Sequence, residues 1–286
     1  MQPISKLLSV SDHSRDSVSM TYVYPVISRR ASGVSIGINL NPNNACNWRC
    51  VYCQVPDLKR GSAPTIDLVK LEQELRTFLH ELLYGRFMLD KVPQQARRIN
   101  DIALSGNGEP TSAKEFEQVI SLIGRVKHDF PLPEALKLVL ITNGSLIDRV
   151  SVQRGLSHMA KLNGEIWFKL DSVTQEGRIR INNTRMSLKK MHANLKLAAS
   201  LCPTWLQTCV FEIDGKPPAE KEISAYLEFL YKIQQEGISL QGILLYGLAR
   251  PSLQPEAPRL SKVSAAWIES FAVRIKKLGF AVKVHP

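Results

Sequence analysis

The stretch "SIGINLNPNNACNWRCVYCQVP", residues 35–56, decides how the rest of the chain is read. It opens with an apolar run of β character, "SIGINL", and passes directly into a loop carrying Cys46, Cys50 and Cys53. Three of the chain's five cysteines therefore lie within eight positions. A structural zinc site wants four closed ligands, usually in two paired sets, and no fourth Cys or His lies between residues 40 and 60. Cys202 and Cys209 are remote and read as small core hydrophobes. An iron–sulfur cluster fits the triplet better, because thiolates are the ligands such clusters use. Three of them hold three irons of a four-iron cube and leave the fourth open to a chelating cofactor.

Outward from this stretch, β-type runs alternate with amphipathic ones. "LVKLEQELRTFLHELL" (68–83) sets Leu68, Leu71, Leu75, Leu79 and Leu82 on one helical face. "DIALSG" (101–106) reads as a strand. The next helix carries Phe116, Val119, Ile120 and Ile123 as its buried stripe, with Ser112 and Glu115 spaced as a capping box. Strands follow at 137–144, 165–172, 205–213 and 240–248, with helices over 147–161, 187–201, 219–237 and 262–279 and a last strand over 280–284. About six βα units in succession predict a parallel sheet, open or curved into a barrel. In parallel barrels, chemistry gathers at the C-terminal ends of the strands. The cysteines follow the first strand, "GNGEP" (106–110) the second, "TNGS" the third, "DS" the fourth and "GLARPS" the sixth. Residues 1–20 read as a loose polar tail, 21–255 as the core, and 256–286 as a helix and strand packed on the same domain.

The chain has 286 residues, 44% of them hydrophobic, which suffices for one large α/β domain. No run nears the roughly eighteen apolar residues of a membrane helix, so no membrane partner is expected. The first residues carry no continuous apolar segment of a secretory signal. An odd, clustered cysteine set is no disulfide framework and points to a reducing cytoplasm. The net charge of +11 favours anionic partners, RNA and nucleotides among them. Aromatics make up 7% of the chain, too few for an evident base-stacking platform.

The spacing CxxxCxxC after the first strand of a βα series resembles the signature of the radical S-adenosylmethionine (radical SAM) superfamily, with Tyr52 just before the third cysteine. "GNGEP" looks like that family's GGEP motif, with Asn107 in place of a glycine. "PVISRRASGVSIGINLNP", "KLDS…RIRIN", "LQT" and "LLYGLARPS" are similar to a branch of single-cluster Fe–S oxidoreductases related to wybutosine-synthesising and molybdenum-cofactor-type enzymes. The resemblance covers roughly residues 33–250. It implies a partial (βα)6 TIM-like barrel, one [4Fe–4S] cluster and SAM. It also implies reductive cleavage of SAM to a 5′-deoxyadenosyl radical that abstracts hydrogen from substrate, and a reductant such as flavodoxin or ferredoxin. The second clusters of the wybutosine and molybdenum-cofactor enzymes have no counterpart here, so the resemblance gives the radical and not the substrate.

Carried over residue by residue, Cys46, Cys50 and Cys53 would ligate the cluster, and Gly106, Asn107, Gly108 and Glu109 would meet the methionyl amine. Tyr52 would lie near the adenine, and Asn143, Lys169 and Asp171 would reach the ribose or carboxylate. Gln207 and Tyr246 are further cofactor candidates. Lys169 and Asp171 alternate with Phe168 and Leu170, so they share one strand face near its C-terminal end. That placement makes them catalytic candidates, with a buried ion pair as the plainer reading. "GRIRINNTRMSLKK" (177–190) supplies Arg178, Arg180 and Arg185 either as a solvated helix start or as a clamp for an anionic substrate, with Arg250, Arg29 and Arg30 available to join it. The competing activities are RNA modification, activation of a glycyl-radical partner, and metal binding without catalysis.

Overall fold

The structure, a computed structural model, describes residues 7–8, 19–27 and 33–286. Among these, eight strands form one sheet: β1 (Val23–Ile27), β2 (Val34–Ile38), β3 (Ile99–Leu104), β4 (Lys137–Thr142), β5 (Gly164–Lys169), β6 (Thr204–Cys209), β7 (Gly242–Tyr246) and β8 (Val282–His285). They lie side by side in that order, β1 antiparallel to β2 and every later neighbour pair parallel. Each of β2 to β7 leads into a helix: α1 (Leu68–Tyr84), α2 (Phe116–Asp129), α3 (Val150–Lys161), α4 (Leu188–Leu201), α5 (Glu220–Gln235) and α6 (Ala265–Lys276). The sheet ends at β1 and β8, which do not pair, so this is the expected partial (βα)6 barrel.

Strand alternation builds it. Ile36, Ile38, Ile102, Leu104, Leu138, Leu140, Ile166, Phe168, Leu206, Ile243 and Leu245 are all fully buried. They share one core with the helix stripes, including Leu71, Leu75 and Leu79 of α1 and Phe116, Val119, Ile120 and Ile123 of α2. Each such side chain contributes about 1.5–3 kcal/mol by leaving water. Asp67, Ser187 and Ser264 cap α1, α4 and α6 by accepting from Lys70 N, Lys190 N and Trp267 N.

Three features depart from the sequence reading. β1 was not expected, yet its "VYPVI" is buried throughout and covers β2. It is held by Glu74 of α1, whose carboxylate accepts from Thr21 N, Tyr22 N and Val23 N at 2.9, 2.7 and 3.2 Å. Ser112 and Glu115 form no capping box. Ser112 belongs to a separate turn, Pro110–Ser112, where its Oγ accepts from Ala63 N, and Glu115 makes no side-chain cap bond. Arg178–Asn182 is a π-helical turn rather than a solvated helix start, ending at Asn183 with φ +52°. Most of the expected tail, with Arg29 and Arg30, lies outside the described residues. Leu8 N donates to Lys91 O.

Candidate active site

The cysteine loop leaves the C-terminal end of β2 and closes one wall of a cavity of about 320 Å³. Cys46, Cys50 and Cys53 line that cavity and are free thiols, each partly accessible. Burial pushes the Cys46 thiol up to about 12 and the Cys50 thiol up to about 11. The loop is tied down from several sides. Val51 N donates to Ile181 O, and Arg49 holds Glu256 at 2.6 Å. The segment after β7 lies across it: Cys53 O accepts from Leu253 N at 2.9 Å, Ser252 Oγ at 3.2 Å and Gln254 Nε2 at 3.3 Å.

The turn 106–109 after β3 forms the next part of the wall. Gly106 has φ +142°, and a Cβ on it would meet the Asn39 side chain. A Cβ on Gly108 would sit 2.1 Å from Ala45 O, so only glycine lets this turn lie against the cysteine loop. Glu109 belongs to the cavity's lining but is only 2% exposed. Its Oε1 accepts from Thr111 N and Oγ1 and from Thr142 Oγ1, and its Oε2 from Asn143 N at 2.6 Å. Burial nevertheless holds this carboxyl above the ordinary glutamate range. Asn107 donates through Nδ2 to Asn44 Oδ1, while its Oδ1 is buried without a partner. Asn143 reaches the cavity edge, but its amide is bound to Ser145 N and Asn47 Oδ1.

The opposite wall comes from β5, β6 and β7. Lys169 Nζ lies 5.0 Å from the Tyr52 ring centroid and donates to Tyr246 Oη at 3.3 Å. Burial disfavours its ammonium, yet Tyr246, Asp171, Cys50 and Cys209 around it hold its pKa above the usual lysine value. Asp171 is a hub. Its Oδ2 accepts from Tyr52 Oη and from Asn182 Nδ2 at 2.6 Å, and its Oδ1 from Cys209 N at 2.9 Å. Asn182 Nδ2 also faces Cys50 Sγ at 3.4 Å. One carboxylate thus joins the cysteine loop, the π-helical turn and the end of β6.

The site therefore gathers the three cysteines, Tyr52, the 106–109 turn, Asn143, Lys169, Tyr246 and Arg250 around one cavity. Five candidates are not on its lining: Asp171, which lies on a second cavity, Gln207, Arg178, Arg180 and Arg185. Gln207, paired with Lys169 in register, is 2% exposed and sits below the cavity rather than on its lining. Arg178 is 4% exposed and donates to Val173 O and Met186 O, which holds the π-helical turn in place and keeps it from any substrate. Arg180 and Arg185 are exposed beyond that turn, Arg180 on a second cavity. Sequence reasoning missed Asn182, Ser252 and Gln254. Asn182 and Ser252 were visible only as the last residues of the quoted "RIRIN" and "GLARPS", and Gln254 lies two residues beyond the latter.

The donor set fits the implied group. Among the described residues, no three His, Cys, Asp or Glu side chains are grouped around a single metal ion. Cys46, Cys50 and Cys53 all line this one cavity as free thiols, and thiolates are the ligands such a cluster uses. The orphaned Asn107 Oδ1 offers an acceptor to an ammonium.

Comparison with known proteins agrees. UPF0026 protein slr1464 of Synechocystis sp. is 30% identical over 167 residues, covering 56% of this chain and 52% of that protein. The chain spans about half the length of the two UPF0026 proteins it matches, 52% and 46%. SuiB of Streptococcus suis bound to its precursor peptide SuiA superposes with a TM-score of 0.59 at 11% identity, covering 87% of this chain and 48% of that one. TYW1 with a lysine-pyruvate adduct superposes at 0.57 and 15% identity, covering 85% and 73%. These likenesses show the fold. The sequence model of the Radical SAM superfamily matches residues 40–230, more than half of the chain. With the cysteine triplet, the glycine turn and the partial barrel in place, the chain belongs to the radical SAM superfamily, whose cofactors are a [4Fe–4S] cluster and SAM.

Proposed function

We propose that this protein is a radical SAM oxidoreductase or transferase that abstracts hydrogen from a substrate bearing an anionic group. The observation that carries the reading is the convergence of three free thiols, a two-glycine turn, Lys169 and Tyr52 on one cavity at the C-terminal strand ends, with Asp171 holding the Tyr52 hydroxyl from behind its wall. When bound, the cluster supplies one electron to SAM, and the cofactor's cleavage gives the 5′-deoxyadenosyl radical. The chain's own residues bind, orient and shield. Cys46, Cys50 and Cys53 hold the cluster. The backbone of 106–108 and Asn107 Oδ1 receive the methionyl ammonium. Lys169, and Arg250 at the rim, offer cations to the carboxylate. Tyr52 and Tyr246 give aromatic faces to the adenine side. Glu109, Asn143 and Asp171 act as positioning residues, since their polar atoms are engaged within the protein. Arg180 and Arg185 are the exposed cations left to meet an anionic substrate, and a flavodoxin- or ferredoxin-like reductant in a reducing cytoplasm fits the unpaired cysteines. Among the described residues no helix is long and apolar enough to cross a membrane.

The test is anaerobic reconstitution with iron and sulfide, followed by SAM and dithionite. Release of 5′-deoxyadenosine that disappears in Cys50→Ala supports the reading. A protein that takes up stoichiometric zinc, no cluster and no SAM sinks it.

A further inference from the structure

A second cavity, of about 300 Å³, lies behind the Asp171–Cys209 wall, between the segment 210–219 and the faces of α5 and α6. Cys209 lines both cavities and Asp171 the second, so the partition is one side chain thick. Of the residues given roles above, Asp171 and Arg180 line this chamber, and no ligand has been assigned to its interior. Its volume is at the small end for small-molecule sites.

Its lining is divided by chemistry. Phe211, Ile223, Tyr226 and Phe271 form apolar walls. Glu222, on the first turn of α5, brings a half-buried carboxylate whose oxygens accept from Ser172 Oγ at 2.7 Å and Thr174 Oγ1 at 2.5 Å. Those donors are neutral hydroxyls, and each carboxylate oxygen keeps a further lone pair. The nearby Arg178 feels this charge but gives its guanidinium to backbone carbonyls. At the rim, Arg259 is paired in two-pronged fashion with Asp214 at 2.9 and 2.6 Å. Arg180 and Lys216 line the same chamber and are exposed, and Lys216 adds its charge to the field that holds Asp214 below the usual carboxylate range. The chamber therefore holds the Glu222 carboxylate, which is in no salt bridge among the described residues, the exposed cations Arg180 and Lys216, and an apolar body lined by Phe211, Ile223, Tyr226 and Phe271.

A ligand that complements all three carries an ammonium, a carboxylate and an apolar side chain. We propose that the chamber binds an α-amino acid with an aliphatic or aromatic side chain, as its free zwitterion. The ammonium sits at Glu222, the carboxylate at Arg180 and Lys216, and the side chain against Phe211 and Phe271. As the place of the hydrogen donor this rests on the radical SAM reading, whereas binding itself does not.

The test is equilibrium dialysis of the reconstituted protein, without reductant, against labelled L-leucine, L-isoleucine and L-phenylalanine. Unlabelled 4-methylpentanoate and 3-methylbutylamine, which lack the ammonium and the carboxylate of leucine, serve as competitors. SAM binding is read in parallel. At least one amino acid is retained saturably, and neither analogue displaces it at tenfold excess. Glu222→Gln weakens retention about tenfold or more, since a hydrogen bond between two charges is replaced by a neutral one. Lys216→Met, at an exposed position, weakens it severalfold, and both variants keep SAM affinity. Retention of none of the three, displacement by either analogue as readily as by the amino acid, or unchanged retention in Glu222→Gln overturns the proposal. SAM affinity and 5′-deoxyadenosine release, measured on the same preparation, report separately on the radical reading.

Discussion

Replacing Asp171 by asparagine tests the hub directly. The wild-type carboxylate faces three donors: Tyr52 Oη, Asn182 Nδ2 and Cys209 N. Asparagine keeps one acceptor oxygen and gains an NH₂. If the oxygen stays on Cys209 N, the new NH₂ meets Tyr52 and Asn182. Tyr52 can rotate its hydroxyl to accept, but Asn182 must flip its amide, which removes its contact with Cys50 Sγ at 3.4 Å. Two hydrogen bonds to a charged acceptor, about 1.5–3 kcal/mol each, are exchanged for neutral ones worth about 1 kcal/mol, a net loss of roughly 1–4 kcal/mol. Lys169 loses its carboxylate neighbour as well. For a chain of this size that loss lowers the midpoint of thermal unfolding by roughly 3–12 °C. The assay is thermal unfolding of the cluster-free protein by circular dichroism, followed by iron content after reconstitution and SAM affinity by dialysis. The expected result is a lower midpoint, less iron retained and weaker SAM binding together. A variant that unfolds at the wild-type temperature and keeps full iron and SAM would refute the hub, since none of the three donors would then depend on the charge.

Further outcomes follow from the same geometry. Glu109 has its carboxyl raised by burial, so the native state holds that proton more firmly than the unfolded chain. Its contribution to stability is complete below the ordinary glutamate value and declines as pH rises through the raised one. Urea midpoints of Glu109→Gln measured across that window should lack this decline. With the Cys46 and Cys50 thiols pushed up to about 12 and about 11, only on the order of one Cys50 in a thousand is thiolate at pH 8 in the cluster-free protein. Alkylation of both residues, followed by peptide mass spectrometry, should therefore accelerate about tenfold per pH unit up to pH 10. Arg178→Met leaves Val173 O and Met186 O without donors and should cost about 2 kcal/mol in urea unfolding. Arg180→Ala should leave stability unchanged within about 0.5 kcal/mol, because the side chain is exposed.

How much was legible depends on how local the cause is. The βα alternation, the helix stripes and the placement of cysteines and "GNGEP" at strand ends follow from side-chain periodicity, and they hold. β1 escaped because "VYPVI" is short, contains a proline and shows no alternation; its strand state is fixed by remote partners, the Glu74 carboxylate and the space that Gly37 leaves for the Tyr24 ring. The Ser112–Glu115 spacing matched a helix cap, but Ser112 finds Ala63 N, 49 residues away in sequence, and the helix starts later. Arg178 and Arg180 look equivalent in "RIRIN". The π-helical turn sends one into the protein to bind carbonyls and the other to the surface, a distinction set by backbone geometry that residue type does not encode.

The same division explains the chemistry of the cavity. The side chains that motif logic singles out as ligand contacts, Glu109, Asn143 and Asp171, have their polar atoms bound within the protein. What they hold in place is the surface a cofactor meets: the backbone of 106–108, the cysteine loop and the end of β6. The side chains on the cavity that can act on a ligand are few: three thiols, the Lys169 ammonium, the Arg250 guanidinium, two tyrosine rings and the orphaned Asn107 oxygen. Substitutions in the first set should therefore change iron retention and SAM affinity together, because they move a whole wall. Asn107→Ala removes one acceptor from a turn whose backbone path is fixed by Gly106, Gly108 and Glu109. It should weaken SAM while leaving iron content intact. If Asn107→Ala loses iron in proportion to SAM, the turn depends on that side chain for its shape and the separation between scaffold and contact fails at this residue.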